Sequence, residues 1–120
     1  MRVLLVDDNP ANVEYFVAAL ESAAHVVDVE TDGEAGRARA LADKFDLIIL
    51  DIQLPRLSGD AVCRALRAAG VMSPIIALTS AAMPDQISSH AQAGFDAYLT
   101  KPISPSSLRE VARRFERRSA

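Results

Sequence analysis

Two apolar runs in this chain end in acid: Val3-Leu4-Leu5-Val6 meets Asp7-Asp8, and Leu47-Ile48-Ile49-Leu50 meets Asp51. Two further runs end in groups that complement a carboxylate. Ile75-Ile76-Ala77-Leu78 meets Thr79-Ser80, and Tyr98-Leu99-Thr100 meets Lys101-Pro102. Carboxylates brought close together raise one another's pKa and cost stability, so a positive partner is required. Three of them converging suit a small hard cation. Mg2+ takes oxygen ligands at about 2.0–2.1 Å and keeps several waters where only a few carboxylates bind it. No histidine adjoins these run ends and Cys63 is the sole cysteine, which argues against zinc. Carboxylates, a cation and an ammonium together suit phosphoryl transfer, where metal and ammonium offset the charge on the transferring group. An aspartate can itself be the nucleophile and carry an acyl phosphate. Asp7 and Asp8, adjacent at one run end, read as the cation pair. Asp51 stands alone on the next strand, towards the middle of the sheet, and reads as the nucleophile. Thr79 can donate its hydroxyl to a phosphoryl oxygen, and Lys101 can pair with another.

Lysine is itself informative. Of 13 basic residues only Lys44 and Lys101 are lysine. In a chain that so prefers arginine, Lys101 reads as a place where a compact charge on a flexible stem is wanted.

The elements that must position these groups are legible as pattern. Buried parallel strands are short continuous apolar runs, and here such runs alternate with helical spacings, as in a parallel sheet with helices on both faces. Val13, Phe16, Val17 and Leu20 predict a first helix. Residues 34 to 43 predict a weaker second one, with Ala35, Ala38 and Ala42 towards the core. Val62, Ala65, Leu66 and Ala69 predict the third, ended by Gly70. Residues 84 to 93 predict a polar fourth. Leu108, Val111, Ala112 and Phe115 predict the fifth, after Ser104 as N-cap and Pro105 at the first helical position. Val27-Asp28-Val29-Glu30 alternates, as a strand wetted on one side at the sheet edge does. Right-handed crossovers then favour the order 2-1-3-4-5. The expectation is an α/β, flavodoxin-like three-layer (βα)5 sandwich with a five-stranded parallel sheet, forming a single domain over residues 1–120. Ligands of such sheets bind at the carboxyl ends of the strands, where every group named above lies.

Composition narrows the function classes. The chain has 120 residues, half of them hydrophobic, with 24% charged and a net charge of −3. That acidic balance is no nucleic-acid footprint, and Arg113-Arg114-Phe115-Glu116-Arg117-Arg118 reads as a solvated helix end whose cations suit the helix dipole. A four-residue apolar run meeting two aspartates is neither a signal peptide nor a membrane span, so a cytoplasmic location is expected. Cys63 reads as a small core residue, His25 and His90 as surface residues, Pro55 and Gly59 as loop punctuation.

VLLVDDN, LIILDIQLPRLSG, IIALTSAAM and AGFDAYLTKPIS resemble the motifs of response-regulator receiver domains, the phosphoacceptor modules of two-component signalling. The resemblance spans nearly the whole chain. It implies Asp51 as phosphoacceptor, and Asp7, Asp8 and Asp51 as Mg2+ ligands together with the backbone carbonyl of Gln53. It implies contacts from Thr79 and Lys101 to the phosphoryl group, and a cis bond from Lys101 to Pro102. Tyr98 stands at the aromatic switch position and would move inward as Thr79 swings toward a phosphorylated Asp51. The donor would be a histidine kinase or a histidine phosphotransfer protein. The output face would be the fourth helix, fifth strand and fifth helix, on a monomer or a phosphorylation-dependent dimer. The wording of Asp-Ile-Gln-Leu-Pro, Leu-Thr-Ser-Ala-Ala-Met and Tyr-Leu-Thr-Lys-Pro-Ile is similar to receivers of hybrid histidine kinases and to single-domain phosphorelay regulators. The chain is then either a stand-alone regulator or an excised receiver.

One departure is that Ala24-His25 stands where many relatives have Gly before the His, so the first helix must end without glycine's freedom at positive φ. Another is Ala81, two residues after Thr79, which offers no charge or hydrogen bond to an attacking water. Three rivals share parts of this pattern. An FMN electron carrier would have the same fold, but Asp7-Asp8 would repel the flavin phosphate. A Mg2+-dependent aspartyl phosphatase would want a second acid where Gln53 stands. A non-phosphorylated docking or dimerisation module would have no use for the intact acidic, hydroxyl and ammonium set.

Overall fold

The computed structural model describes residues 1–80 and 93–119, with side chains as far as Glu116. In chain order the elements are β1 (Arg2–Val6), α1 (Pro10–Glu21), β2 (Val26–Glu30), α2 (Gly33–Ala42), β3 (Leu47–Asp51), α3 (Gly59–Ala68), β4 (Ile75–Thr79), β5 (Ala97–Thr100) and α4 (Pro105–Ser119). The strands form one parallel sheet in the order β2-β1-β3-β4-β5, the order expected from the sequence. The helix predicted over 84–93 lies outside the described residues but for Ala93. The fifth predicted helix is α4.

Side-chain alternation along each strand splits the core in two. Val3, Leu5, Leu47 and Ile49 pack with Phe16 and Leu20 of α1 and with Leu108 and Phe115 of α4. Leu4, Val6, Ile48 and Leu50 face the other way, onto Val62, Cys63 and Leu66 of α3 and Ala40 of α2. β1, β3 and β4 are covered on both faces, which is why they read as unbroken apolar runs. β2 lies at the edge, as the alternation of Val27–Glu30 implied; it is partly buried throughout those residues and exposes Val26.

Helix ends follow their local chemistry. Asn9 caps α1, accepting from the N–H groups of Ala11 and Asn12, with Pro10 at the first position. Ser104 accepts from Ser107 N–H at the start of α4. α3 ends through Gly70 at φ +87°, and Val71 N–H returns to Leu66 O at 3.0 Å. α1 ends in the same way without glycine: Ala24 takes φ +68° and His25 N–H returns to Leu20 O at 3.2 Å. A left-handed non-glycine residue costs roughly 1–2 kcal/mol.

The structure corrects several sequence expectations. The core-facing side of α2 is Gly33, Gly36 and Ala40, while Ala38 and Ala42 are exposed and Ala35 is only half-buried. The helix is phased by its closest approach to the neighbouring chain, which glycine permits and alanine does not. Ala69 is the exposed C-cap of α3 rather than a core residue. His25 is buried, not on the surface. The left-handed Ala24 turns it inward, where Nδ1 lies 3.2 Å from the Met1 ammonium and 3.7 Å from Glu116 Oε2 of α4.

At the amino ends of the strands one side chain joins several segments. Arg67 of α3 donates to the carbonyls of Gly94, Val71 and Ser73, at 3.0, 2.9 and 2.8 Å, and to Asp96 Oδ2 at 2.7 Å. Asp96 Oδ2 also accepts from Ile75 N–H, where β4 begins. Arg67→Ala should destabilise the fold by about 2 kcal/mol in chemical denaturation, since it strands several half-buried acceptors. Arg67→Lys should recover only part of this, because an ammonium lacks the planar fork of donors.

Burial, and next the Met1 ammonium, lower the pKa of His25 against an opposing pull from Glu116. The folded state then binds a proton less readily than the unfolded chain. The contribution of His25 is fully present above its unfolded value of about 6.5 and lost as pH falls through the folded value. Thermal melts from pH 7.5 to 5 should show a steeper loss in wild type than in His25→Gln.

Candidate functional site

At the carboxyl ends of β1, β3, β4 and β5 the run-end residues meet. β1 passes directly into α1, and Asp7 is fixed in that crossing: its Oδ1 accepts from Asn9 N–H at 3.0 Å, one residue before the helix begins. Asp7 is fully buried, whereas its neighbour Asp8 is exposed at the rim. β3, paired with β1 on one side and β4 on the other, delivers Asp51, 4% exposed. Asp51 Oδ1 accepts from Gln53 N–H at 3.0 Å, and Oδ2 accepts from Lys101 Nζ at 2.6 Å. Carboxylate oxygens of Asp7, Asp8 and Asp51 lie within 4.8 Å of one another. Thr79, buried, ends β4, and its carbonyl accepts from Lys101 N–H at 2.7 Å. Parallel register puts Thr79 beside Thr100, so the lysine emerges one residue past the sheet. The bond from Lys101 to Pro102 is cis.

The cluster is electrostatically uneven. Burial is the main reason that the Asp7 carboxyl lies above the ordinary carboxylate range, and it outweighs the Asn9 N–H. The Asp51 charge adds to the rise, Lys101 offsets part of it, and Asp8 adds a little more. Asp7 Oδ2 is buried and has no hydrogen-bond partner among the described residues. A buried carboxylate oxygen left unpaired is costly. The Asp7 carboxyl group stands with two further carboxylates, and a cation is a group that would satisfy all three. The donors are all oxygen, with no described histidine or cysteine among them. That set suits a hard divalent ion of the Mg2+ kind.

The backbone around Asp51 is shaped by close approach. Gly59 N–H closes the β3–α3 loop onto Ile52 O at 2.8 Å. A Cβ on Gly59 would lie 2.3 Å from the Asp51 carbonyl oxygen, so only glycine lets α3 begin against the strand that carries the site. Gln53 is exposed at the mouth, its N–H committed to Asp51. Tyr98 is half-buried on edge strand β5. Its ring meets Phe95 edge-to-face at 5.8 Å, and its hydroxyl oxygen is buried without a described partner. Cys63 is fully buried with its thiol pushed up to about 11, mainly by burial, so it is an inert core residue.

The structure thus brings together Asp7, Asp8, Asp51, Thr79 and Lys101 and sets Gln53 at their edge. Tyr98 stands apart, toward α3. Sequence reasoning missed Asn9, whose backbone orients Asp7. The signal was available: asparagine followed by proline is a helix start.

Comparison with known proteins agrees with this geometry. The family model described as "Response regulator receiver domain" matches residues 3–113. Sensor protein GacS of Pseudomonas syringae pv. syringae is 42% identical over 116 residues, covering 92% of this chain and 13% of that protein. Two-component response regulator ORR41 of Oryza sativa subsp. japonica is 35% identical over 119 residues, 96% of this chain and 94% of ORR41. Among solved structures, the receiver domain of the sensor histidine kinase PA1611 of Pseudomonas aeruginosa PAO1 superposes with a TM-score of 0.88 at 35% identity, covering 95% of each chain. That structure has a magnesium ion coordinated in its active site cleft. The chain spans only 12% to 17% of the length of the larger curated relatives it matches. With its strand order, its acidic strand ends and these likenesses, the chain belongs to the response regulator receiver domain family of two-component signal transduction.

Proposed function

We propose that Asp51 is the phosphoacceptor of this receiver domain, taking a phosphoryl group from a phosphohistidine of a histidine kinase or a histidine phosphotransfer protein. The observation that carries this reading is the setting of Asp51. It is buried, bonded to Lys101 on one oxygen and to the Gln53 N–H on the other, and faces two further carboxylates.

In the transfer, a carboxylate oxygen of Asp51 attacks phosphorus and forms a P–O bond as the P–N bond to the donor imidazole breaks. The bonding pair leaves with the imidazole, which takes up a proton. Asp51 needs no general base, because it attacks as the carboxylate. Lys101, already 2.6 Å from Asp51 Oδ2, is placed to follow the negative charge onto a phosphoryl oxygen, and the Thr79 hydroxyl to donate to another. Asp7, Asp8, Asp51 and the backbone carbonyl of Gln53 would hold Mg2+, which when bound supplies positive charge against the phosphoryl oxygens. Enzymatic turnover is then confined to the domain's own phosphorylation and dephosphorylation.

Once Asp51 is phosphorylated, Lys101 loses its carboxylate partner, and Thr79 is drawn toward the new group. We read Tyr98 as the residue that answers this shift, with its hydroxyl free of a described partner. The readout face is β5, α4 and the segment predicted as the fourth helix, and a downstream protein binds there. Among the described residues no helix is long and apolar enough to cross a membrane.

Incubation with acetyl phosphate and Mg2+ should add one phosphoryl group by intact mass. EDTA should prevent it, and so should Asp51→Asn. An adduct that persists unchanged in Asp51→Asn overturns the assignment.

Asp7→Asn removes one of three clustered carboxylates. In metal-free buffer it should raise Tm by several degrees, about what 1 kcal/mol of relieved repulsion yields in a domain this size. The same variant should lose most of the Tm gain that Mg2+ gives wild type.

A further inference from the structure

The loop that carries Gln53 is braced from the side by the first turn of α2. Within it, Pro55 O accepts two N–H groups, from Leu57 at 2.8 Å and from Gly33 of α2 at 3.1 Å. The Leu57 bond spans two residues, and Arg56 between them sits at φ +71°. A tight turn of this kind, with its central residue in the left-handed region, is rare and strained. α2 approaches it too closely for any side chain at position 33. A Cβ on Gly33 would lie 1.8 Å from the Leu57 carbonyl oxygen and 2.6 Å from its carbon. Asp32, which caps α2 through Ala35 N–H, also places its carboxylate 3.9 Å from Arg56 Nε. The start of α2 therefore bears on Pro55, Arg56 and Leu57 together.

This contact is mechanically close to the site. The loop leaves β3 at Asp51, and the Gln53 N–H is bonded to Asp51 Oδ1. Only Leu54 separates Gln53 from Pro55. Strained backbone persists only where its surroundings over-determine it, and here α2 supplies that surrounding on one side and Gly59 on the other.

We infer that the Gly33 end of α2 is a positioning element for the phosphorylation site: by holding the Pro55–Leu57 turn, it fixes the Gln53 peptide and thereby the Asp51 carboxylate in the arrangement that binds the cation. This rests on the reading of Asp7, Asp8, Asp51 and Gln53 as the Mg2+ site. Gly36 supplies a control on the same helix. A Cβ there would crowd the Val6 side chain at 2.8 Å, and the loop is not among its nearest neighbours.

The test compares wild type, Gly33→Ala and Gly36→Ala. Mg2+ affinity is measured by titration calorimetry, and amide hydrogen exchange of Leu57 and Gly59 is measured in metal-free protein. Both variants should lower Tm. Gly33→Ala should weaken Mg2+ binding by about tenfold, as loss of an outer support of a metal site does, and speed exchange at Leu57 and Gly59. Gly36→Ala should do neither. If Gly33→Ala does not fold, Arg56→Val is compared with Arg56→Gly. A β-branched residue resists positive φ and glycine accepts it, so the valine variant should bind Mg2+ several-fold more weakly. Equal affinity and equal exchange within either pair overturns the inference. Absence of Mg2+ binding in wild type overturns the proposed function instead. The exchange comparison then decides by itself whether α2 holds the turn, and equal exchange overturns that too.

Discussion

Three carboxylates turned toward one another at the end of a buried sheet is an arrangement that folding opposes. At about 4 Å, two unit charges interact by about 4 kcal/mol in an effective dielectric of 20. Asp7 shows the strain most plainly, with no exposure, a raised pKa and one carboxylate oxygen without a described partner. The Lys101 ammonium on Asp51 is what makes the cluster tolerable in the absence of a cation. Much of the architecture can be understood as what is needed to keep these groups together. Strands apolar on both faces cannot retreat into water, so the residues at their ends are held where the strands stop.

Glycine sets the spacing around that edge. Gly59 brings α3 against the Asp51 carbonyl, and Gly33 brings α2 against the loop between them. Neither position has room for a methyl group, so the two helices act as rigid stops on either side of the β3–α3 loop. The left-handed Arg56 is tolerated inside that frame. Functional loops are commonly strained segments carried by a stable scaffold, and this one is held by close backbone approach as well as by Leu54 and Leu57, which pack against the core.

The opposite edge of the sheet does different work. There, charged and polar side chains tie chain segments together without chemistry. Arg67 gathers the end of α3, the start of β4 and the approach to β5. Arg2 bonds Asp28 and lies 4.6 Å from the centroid of the Phe45 ring. His25 lies between the Met1 ammonium and α4. Like charges concentrate at one end and paired opposite charges at the other, so the acidic edge carries the unfavourable electrostatics and the other edge helps offset it.

Much of this was legible in the residues alone, and for a definite reason. A strand buried on both faces must be an unbroken apolar run, and an open parallel sheet places its chemistry where such runs end. Asp7, Asp8, Asp51, Thr79 and Lys101 could therefore be picked out, and the strand order with them, and Ser104, Pro105 and Gly70 announced helix ends by local rules. What stayed hidden was decided by approach and direction. Counting alanines mis-phased α2, because glycine carries no hydrophobic signal yet permits the nearest contact. Counting histidine as polar misplaced His25, because its burial follows from the left-handed Ala24 and from α4, distant in sequence. The bond of Lys101 to Asp51 depends on the register of three strands, which no local spacing encodes. The sequence by itself determined which groups stand at the strand ends. Tertiary structure decided which of them touch, since that depends on how closely helices and loops can pack against the sheet.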